Sequence, residues 1–461
     1  MQTKYAQISR EILKRITSEE FAAGSRVPSE TELLKLYKCS KNTVDKAMES
    51  LVASGYIRRE RGRGSFVTGV LPPQKIITGL FYFEHLKWLN SLHRQIFHNS
   101  YASEFIEKNK LSDIVFDHLP NRPLEEQLVY KADTIEFINL AQQKYFIENR
   151  VLFNCNEALE RCRVNIYKAY DQGLLELCGC NGLLQAVPIY QIPIILIYNK
   201  TVFSNLGLPL PDDSLNWDSF LELNRIITAE RNSENEPQTY AFGCQPTLNR
   251  LLPFIWQNDA EILPSGRGSA EQTCRVTEAI KWYLELMRIN NLRPGLLDQT
   301  QIGAQYYYLM QHNRLAMMAG QPYDVQVLLS MGCDIGVTFL PKGRKSTTLI
   351  LTKNFGVHRD SPVSDAAALL LARITSDAGV QFLKNNTWMA PADSRQLDGD
   401  TQDSLKSVIY AACRYGRYTP ANLSDYKTYD GFSQMMNKIL LSGCDIIEAV
   451  RCFEKSIDSV G

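Results

Sequence analysis

Basic and hydrogen-bonding side chains crowd the segment between residues 40 and 64, and their spacing suits contact with a nucleic acid. Ser40 is a suitable N-cap for a helix. The first turns of that helix would present the polar side chains Lys41, Asn42, Thr43 and Lys46. A helix that lies in the major groove uses such side chains to contact base edges and phosphates. The spacing therefore predicts a helix that binds duplex DNA.

A second basic segment follows at residues 56–68 and is typical of a β-hairpin. Gly62 and Gly64 permit a tight turn close to a nucleic-acid backbone. The arginines around this turn are Arg58, Arg59, Arg61 and Arg63. Their positive charges would neutralise phosphates. We expect Arg61, Arg63 and Gly64 to contact DNA.

Two further helices must position these side chains. Ser29 and Glu32 have the spacing of a capping box, and we also count Ser29 among the candidate DNA-contact residues. After Ser40, apolar residues recur at the helical spacing of one buried stripe. This stripe comprises Val44, Ala47, Met48, Leu51 and Val52. Residues 4–20 should form the first helix, and residues 21–27 a connecting turn.

The same residues carry a family resemblance. The matching positions are Gly24, Pro28-Ser29-Glu30, Leu33, Ser40, Thr43-Val44, Ala47, Leu51, Gly55 and the run 62–67. In this order they resemble the winged helix-turn-helix of GntR-type transcription regulators. Thr31, Lys41 and Asp45 depart from residues common in that family, so no base preference is carried over. The resemblance implies a double-stranded DNA operator as partner. A homodimer on a pseudo-palindromic site is expected, because one winged helix reads few base pairs.

Composition sets the domain organisation. A chain of 461 residues exceeds one ordinary domain. Its formal net charge is zero, yet residues 1–69 carry +5 and the remainder −5, so only the N-terminal part favours a polyanion. We predict a DNA-binding domain at 1–69, a proline-containing linker at 70–75 and a larger domain at 76–461. No apolar run of about 18 residues occurs and the N-terminus lacks a signal-peptide pattern, so a cytoplasmic protein without a membrane partner is expected.

From residue 76 onward, short apolar runs alternate with longer amphipathic ones, which is typical of an α/β domain with two lobes. Predicted strands are 76–83, 113–116, 134–139, 192–198, 315–318, 335–339 and 354–357. Predicted helices are 88–108, 217–230, 274–289, 301–311, 364–376 and 432–441. The overall fold class is thus α/β with an N-terminal winged helix-turn-helix.

Residues 187–228 carry a second resemblance. The segment contains, in order, Tyr198-Asn199-Lys200, Phe203, Gly207-Leu208-Pro209, Pro211, Trp217-Asp218 and Phe220. This order is similar to the middle of the sugar-type (family 1) extracellular solute-binding proteins of ABC importers, and the similarity extends over about residues 185–395. It implies a two-lobed, periplasmic-binding-protein-like (type II) fold with a ligand cleft. Residues 254–263 resemble that family's cleft strand and turn.

The second resemblance also implies a saccharide ligand and a set of contacts. Sugars are bound by aromatic faces and by polar side chains that pair with hydroxyls. The candidate ligand residues are Trp256, Gln257, Asp259, Tyr323, Asp324 and Trp388, with Glu136 in the first lobe. Each aromatic residue could instead belong to the core. Trp217 and Trp282, inside amphipathic helices, are predicted core residues.

Other functions are less compatible with the residues. Eleven scattered cysteines without a C-x-x-C motif favour reduced thiols, and no histidine spacing suggests a metal. No Ser-x-x-Lys in a strand-turn context and no Gly-x-Ser-x-Gly elbow occur, so we predict no catalytic residue, no cofactor and no enzyme. The sequence indicates a ligand-responsive DNA-binding regulator that controls carbohydrate-utilisation genes, as a repressor or as an activator. An aminotransferase-like second domain, or a sensor of a different small molecule, is the alternative.

Overall fold

The structure is a computed structural model. It describes residues 4–17, 20–68, 74–81, 94–97, 111–119, 124–128, 132–137, 139–231, 233, 237–262, 270–290, 299–397, 403–420, 423 and 426–458.

The N-terminal part is a three-helix unit with a hairpin. Its elements are α1 (Lys4–Thr17), α2 (Glu30–Tyr37), α3 (Lys41–Ala53), β1 (Ile57–Glu60) and β2 (Gly64–Val67). The predicted capping box is present: Glu32 N donates to Ser29 Oγ over 3.3 Å, and Ser29 N donates to Glu32 Oε2 over 2.7 Å. Thr43 N donates to Ser40 Oγ over 3.3 Å and caps α3. The apolar stripes of α1 and α3 meet in one buried cluster that also includes Val67.

Part of the predicted connecting turn at 21–27 is extended rather than turned. Arg26 pairs with Phe66 in an antiparallel bridge. Val27 N donates to Ser65 O, and Val67 N donates to Ser25 O, each over 2.9 Å. The hairpin therefore gains a third extended segment, which fixes it against the helices.

The first lobe is built on a seven-stranded mixed sheet. Its strands are β3 (Gln74–Phe81), β4 (Leu111–Leu119), β5 (Thr134–Glu136), β8 (Ala186–Pro193), β13 (Leu349–Val357), β14 (Ala390–Pro391) and β15 (Arg417–Tyr418). Along the sheet the order is β14-β8-β13-β5-β3-β4, with β15 paired to β13. The helices of this part of the chain are α4 (Leu124–Gln127), α5 (Leu140–Glu148), α6 (Asn156–Arg161), α7 (Ile166–Ala169), α8 (Gln172–Cys178), α15 (Ser364–Ile374) and α16 (Asp377–Asn386). A separate small hairpin joins β6 (Gly179–Cys180) to β7 (Leu183–Leu184).

The second lobe has a four-stranded sheet of order β10-β11-β9-β12. Its strands are β9 (Ile195–Asn199), β10 (Tyr240–Gly243), β11 (Leu315–Gly320) and β12 (Ile335–Thr338). Its helices are α9 (Lys200–Asn205), α10 (Trp217–Ile227), α11 (Leu248–Gln257), α12 (Ala270–Ile289), α13 (Gln299–Gln311) and α14 (Pro322–Ser330). The chain ends with a 3₁₀ helix (Ser394–Leu397), α17 (Ser404–Tyr415), α18 (Tyr426–Ser442) and α19 (Ile446–Asp458), and the last two helices join the second lobe's core.

The chain crosses between the lobes at adjacent points. It passes from β8 to β9 through Ile194, and it returns to the first lobe at β13. Ile194 N donates to Leu349 O over 2.9 Å, and Thr348 Oγ1 donates to Ile194 O over 2.6 Å. Arg417 N, on the segment that leads toward α18, donates to Thr348 O over 2.8 Å. The crossing segments are therefore hydrogen-bonded to one another.

Most predicted elements exist, with shifted ends. The apolar run predicted as one strand at 192–198 is two strands, because the chain changes sheets inside it. The prediction of a strand and turn at 254–263 is wrong, since residues 248–257 are helical. The helix predicted at 88–108 lies almost entirely outside the described residues.

Among the described helices, none is by itself long and apolar enough to cross a membrane. One bent pair, Ser364–Ile374 with Asp377–Asn386, meets the length and composition requirement when the two are taken together.

Candidate functional site

The first turns of α3 present the predicted polar face to solvent. Lys41, Asn42 and Lys46 are exposed, whereas Thr43 is half-buried. The Thr43 hydroxyl lies 2.7 Å from Ser40 Oγ, so it takes part in the cap. Val44, Ala47, Met48 and Leu51 occupy the opposite face and are buried. The helix thus has one side available to DNA and one side fixed to the core.

The hairpin between β1 and β2 carries the second group of candidates. Arg61 and Arg63 are exposed, and Arg63 pairs with Glu60 over 2.8 Å. Exposed pairs of this kind contribute about 0–1 kcal/mol, so a phosphate can displace the carboxylate at little cost. Gly64 has φ +113, a backbone conformation that other residues rarely adopt. Its role is to shape the turn that presents the arginines.

Ser29 has a structural role in this conformation. Its hydroxyl accepts from Glu32 N and donates to Glu32 Oε2 over 2.7 Å. The hydrogen bond from Ser29 N to the Glu32 carboxylate, together with that from the Ser29 hydroxyl, lowers the pKa of Glu32. Ser29 is only half-buried, so a contact with DNA stays a prediction.

Trp256 and Gln257 lie in the core of the second lobe, contrary to the expectation that they line a cleft. Trp256 is 1% exposed, and its indole N–H donates to Glu261 Oε2 over 3.1 Å. Gln257 is also 1% exposed. Its Nε2 donates to Thr347 O over 3.0 Å, and its Oε1 accepts from Trp217 Nε1 over 3.0 Å. Both side chains hold neighbouring segments together, and neither offers a surface to a ligand here.

Asp259 and Trp388 are both half-buried, and they contact different residues. Asp259 pairs with Arg275 over 2.6 Å and with Lys345, and the hydrogen bonds from these two side chains lower its pKa. Trp388 is half-buried against a cluster that includes residues of α13 and α17. The Lys406 ammonium lies 5.4 Å from the Trp388 ring centroid. Asp259 lies beside Trp256, since Asp259 N donates to Trp256 O over 3.0 Å, whereas Trp388 packs in a different hydrophobic cluster from Trp256.

Glu136 forms a buried ion pair in the first lobe. Lys353 Nζ donates to Glu136 Oε1 over 2.6 Å and to Phe137 O over 3.2 Å. The Lys353 and Glu136 side chains are 9% and 3% exposed. Burial of two charges is costly, and it is tolerated here because the pair is close and additionally hydrogen-bonded.

Tyr323 and Asp324 begin a helix of the second lobe, yet Tyr323 reaches the first. Its ring packs against the hydrophobic cluster of the first-lobe sheet. Burial raises the pKa of Tyr323, and the charges of Asp324 and Glu136 raise it further. The Asp324 carboxylate accepts from Tyr307 Oη and from Gln321 N. Burial raises the pKa of Asp324, although Arg250 opposes this shift.

These groups form one polar assembly between the lobes, here called the interlobe cluster. It consists of Glu136, Tyr190 and Lys353 from the first lobe and Arg250, Tyr307, Tyr323 and Asp324 from the second. Arg250 Nη2 lies 3.9 Å from Asp324 Oδ2, and the Arg250 side chain is 13% exposed. Its Nη1 is buried and has no hydrogen-bond acceptor among the described residues.

A cavity of 480 Å³ opens beside Arg250. Its lining includes Asn249, Arg250, Gln321 and Tyr429, and Tyr429 Oη donates to Asn249 Oδ1 over 2.8 Å. Polar side chains and an aromatic ring at one cavity are the elements of a small-molecule site. Within the described residues, no group of three His, Cys, Asp or Glu side chains could hold a metal.

The sequence indicated Glu136, Tyr323 and Asp324 but missed Arg250, Lys353 and Tyr429. A lysine inside the apolar strand 349–357 was an available signal, because a buried charge requires a partner. Arg250 and Tyr429 gave no such signal, since their helices carry other polar residues.

Comparisons with known proteins agree with this arrangement. Residues 4–67 match the bacterial regulatory proteins of the gntR family, and residues 164–381 match the bacterial extracellular solute-binding proteins. The chain joins a GntR-type winged helix to a solute-binding-protein fold. The predicted family resemblances and fold class are thereby confirmed.

Curated relatives that match the N-terminal part of the chain are transcription regulators. The chain is 28% identical to the HTH-type transcriptional regulator TreR of Bacillus subtilis over 183 residues, which cover 38% of this chain and 70% of TreR. Over 66 residues it is 38% identical to a probable fructoselysine utilization operon transcriptional repressor of Escherichia coli, covering 14% of this chain and 27% of that protein. An arabinose metabolism transcriptional repressor of Halalkalibacterium halodurans is 36% identical over 66 residues, which are 14% of this chain and 18% of the relative.

Solved structures resemble the larger domain. An ABC substrate-binding protein of Listeria monocytogenes, in complex with cycloalternan, superimposes with a TM-score of 0.67 at 16% identity, covering 84% of this chain and 99% of that one. Maltose-bound T. maritima MalE3 superimposes with a TM-score of 0.66 at 16% identity, and the match covers 84% of this chain and 100% of MalE3. At this identity the likeness shows the fold. The alternative prediction of an aminotransferase-like second domain is therefore wrong.

Proposed function

We propose that the protein is a transcription regulator that binds a saccharide between its lobes and thereby changes the affinity of its winged helix for operator DNA. The control of carbohydrate-utilisation genes follows from this pairing of functions. The relatives are regulators and the larger fold is that of binding proteins, which supports a role without catalysis.

The observation that carries the proposal is the arrangement at Arg250. This guanidinium is nearly buried, keeps an unsatisfied nitrogen and borders a cavity of 480 Å³. An unsatisfied buried donor costs about 1–3 kcal/mol, and a ligand oxygen would remove that cost. Saccharide hydroxyls supply such oxygens, and Tyr429 in the cavity lining supplies an aromatic ring that suits a sugar's C–H face. The names of the structural neighbours, which include maltose and cycloalternan complexes, favour the same ligand class.

The cavity lining comes from the second lobe, but it includes Gln321, two residues before Tyr323, and this connection would give ligand binding a mechanical consequence. Tyr323 of the second lobe packs on the first, and Glu136 and Lys353 lie on adjacent strands of the first-lobe sheet. A ligand that contacts Arg250 and Tyr323 would bind one arrangement of the lobes better than another. Such differential affinity shifts the population toward the preferred arrangement.

Three further features belong to the proposal. The division at 1–69, 70–75 and 76–461 is supported by the separate hydrophobic cluster of residues 8–67, but β3 begins at Gln74, so the larger domain starts within the segment predicted as linker. A homodimer on a pseudo-palindromic operator follows from the small site that a single winged helix reads. We place the protein in the cytoplasm, where a regulator meets chromosomal DNA.

A thermal-shift screen of the purified chain tests the effector. The panel contains maltose, maltotetraose, tagatose, cycloalternan and arabinose, with an amino-acid panel as the non-saccharide arm. A ligand at 100 times its dissociation constant adds about 2.7 kcal/mol of stability. Stabilisation by a saccharide supports the proposal. Stabilisation by an amino acid alone would establish the alternative of a non-sugar sensor.

The position of the site is tested by substitution. Arg250→Gln should weaken binding of the stabilising sugar at least about tenfold, because a buried charged hydrogen bond contributes about 1.5–3 kcal/mol. The matched control is Arg225→Gln, whose guanidinium pairs with the carboxylates of Glu222 and Glu285 on the surface of the second lobe. Unchanged sugar affinity in Arg250→Gln would place the ligand elsewhere.

A further inference from the structure

The first helix of the DNA-binding domain has two contact surfaces. One is the apolar stripe that packs in its own domain, including Ile8 and Ile12. The other faces the larger domain and carries Tyr5 and Arg10. Tyr5 Oη donates to Asp360 Oδ2 over 3.4 Å, and Arg10 Nη2 donates to Arg359 O over 2.8 Å.

The Arg10 contact is more than one hydrogen bond. The guanidinium carbon lies 5.1 Å from the ring centroid of Phe153, within the range of a cation–π interaction. Burial lowers the pKa of Arg10, while the neighbouring carboxylates of Asp365 and Asp360 oppose this shift. Arg10 thus inserts between an aromatic ring, a peptide carbonyl and two carboxylates of the first lobe.

The surface that receives Arg10 is the turn 358–361, and it is fixed to the sheet. His358 N donates to Asp133 O over 2.8 Å, and Ser361 Oγ donates to Asp133 Oδ1 over 2.6 Å. The other carboxylate oxygen of Asp133 accepts from Ile77 N over 2.7 Å. The turn therefore cannot move without moving the start of β5, which follows Asp133 directly.

The same two strands lead to the interlobe cluster. β5 ends at Glu136, and β13, which ends just before the turn, contains Lys353. These two residues form the buried ion pair. Five residues of strand separate Lys353 from His358, a distance of roughly 17 Å at about 3.3 Å per residue. One strand pair thus carries the Glu136–Lys353 pair of the interlobe cluster toward one end and contacts the DNA-binding domain at the other.

We propose that Arg10 is a positioning residue that clamps the winged helix to the turn 358–361, and that this clamp transmits the state of the interlobe cluster to the DNA-binding domain. The second part rests on the proposed function. Coupling between ligand sites typically changes affinity about 5- to 150-fold. Without the clamp the winged helix folds and binds DNA but no longer senses the ligand.

The clamp itself is tested without any ligand. In full-length protein, the exposed residues Glu49 and Glu160 are replaced by unnatural amino acids that carry spin labels. The labelled protein is then diluted into unlabelled protein. Pulsed-EPR distances should be narrowly distributed in the parent and broad in Arg10→Gln. Arg15→Gln is the matched control, because Arg15 lies on the same helix but pairs with Glu20 in its own domain. A narrow distance distribution in Arg10→Gln would show that Arg10 does not hold the winged helix against the first lobe.

The transmission is tested with maltotetraose and a DNA duplex selected from a random pool by the parent protein. In Arg10→Gln the sugar-dependent change in DNA affinity should fall below about twofold, with sugar affinity unchanged. Retention of the parent's change overturns transmission through Arg10. If no sugar alters DNA binding by the parent, the saccharide proposal fails, and the spin-label distances alone decide the clamp. Tyr5→Phe, which removes one hydroxyl, replaces Arg10→Gln if that variant does not fold.

Discussion

The DNA-binding domain and the two-lobed domain distribute their candidate functional residues in opposite ways. In the former, all candidates lie between residues 29 and 64: Ser29 caps α2, and the others lie on the first turns of α3 and on the hairpin. In the latter, Glu136, Arg250 and Tyr323 come from distant parts of the chain and are largely buried. A local site follows from residue spacing, whereas a site between lobes depends on strand order. The following predictions test this difference, from the largest expected effect to the smallest.

Trp256→Ala should have the largest effect, and on stability. Trp256 is 1% exposed in the second lobe's core, and truncation of such a residue costs about 3–5 kcal/mol of unfolding free energy. Chemical denaturation measures this loss. Trp388→Ala is the control, since Trp388 is half-buried and should cost less. If Trp256→Ala unfolds normally but loses sugar affinity, Trp256 belongs to the ligand site after all.

Replacement of Lys41 and Lys46 by alanine should weaken DNA binding without altering stability. Each lost phosphate contact reduces the steepness of the plot of log affinity against log salt concentration by about 1. Both side chains are exposed, so the unfolding free energy should change by no more than about 0.5 kcal/mol. Titrations at several salt concentrations measure the slope. Lys455→Ala, on the exposed side of α19, is the control. An unchanged slope would show that α3 does not contact the phosphates.

Mild acid should destabilise only the two-lobed domain. Burial lowers the pKa of His358, although Asp360 partly opposes it. The folded state therefore holds His358 neutral while the unfolded chain gains a proton below pH about 6.5. The unfolding free energy should fall as pH drops from about 6.5 toward the lower folded pKa, by at most about 1.4 kcal/mol per pH unit.

Tryptophan fluorescence isolates this acid effect, because all five tryptophans lie after residue 69, as do all six histidines. His358→Gln should flatten the pH dependence between pH 5 and 6.5, an interval set by the histidine pKa. A pH dependence that persists in this variant would assign the effect to other groups.

The same contrast explains what the sequence could predict. The capping box at Ser29, the buried stripe of α3 and most strands follow from local spacing, and the structure contains them, except that Val52, predicted in the stripe, is exposed. Trp256 was misplaced because residues 254–263 resemble the cleft strand and turn of the solute-binding family. Its helical period gave the better signal: Leu248, Leu252 and Trp256 are four residues apart, and all are buried.

Other features had no local signal. The run at 192–198 is apolar throughout, because both strands within it are buried, so the change of sheet cannot be seen in its composition. Arg250 meets Asp324 and Tyr323 only through the packing of separate helices. The contact of Arg10 with the first lobe depends on domain placement, which no periodicity encodes.

The crossing segments at Ile194, Thr348 and Arg417 limit how the lobes can move. Because they lie side by side and are hydrogen-bonded, rotation about the line that joins them strains few bonds, whereas twisting or sliding breaks several. The lobes would then move relative to each other mainly by hinge rotation about this one axis. Ligands of different length can differ only in the opening angle at which they are held. The signal passed to DNA would then be a graded angle, and a partial ligand would produce a partial response.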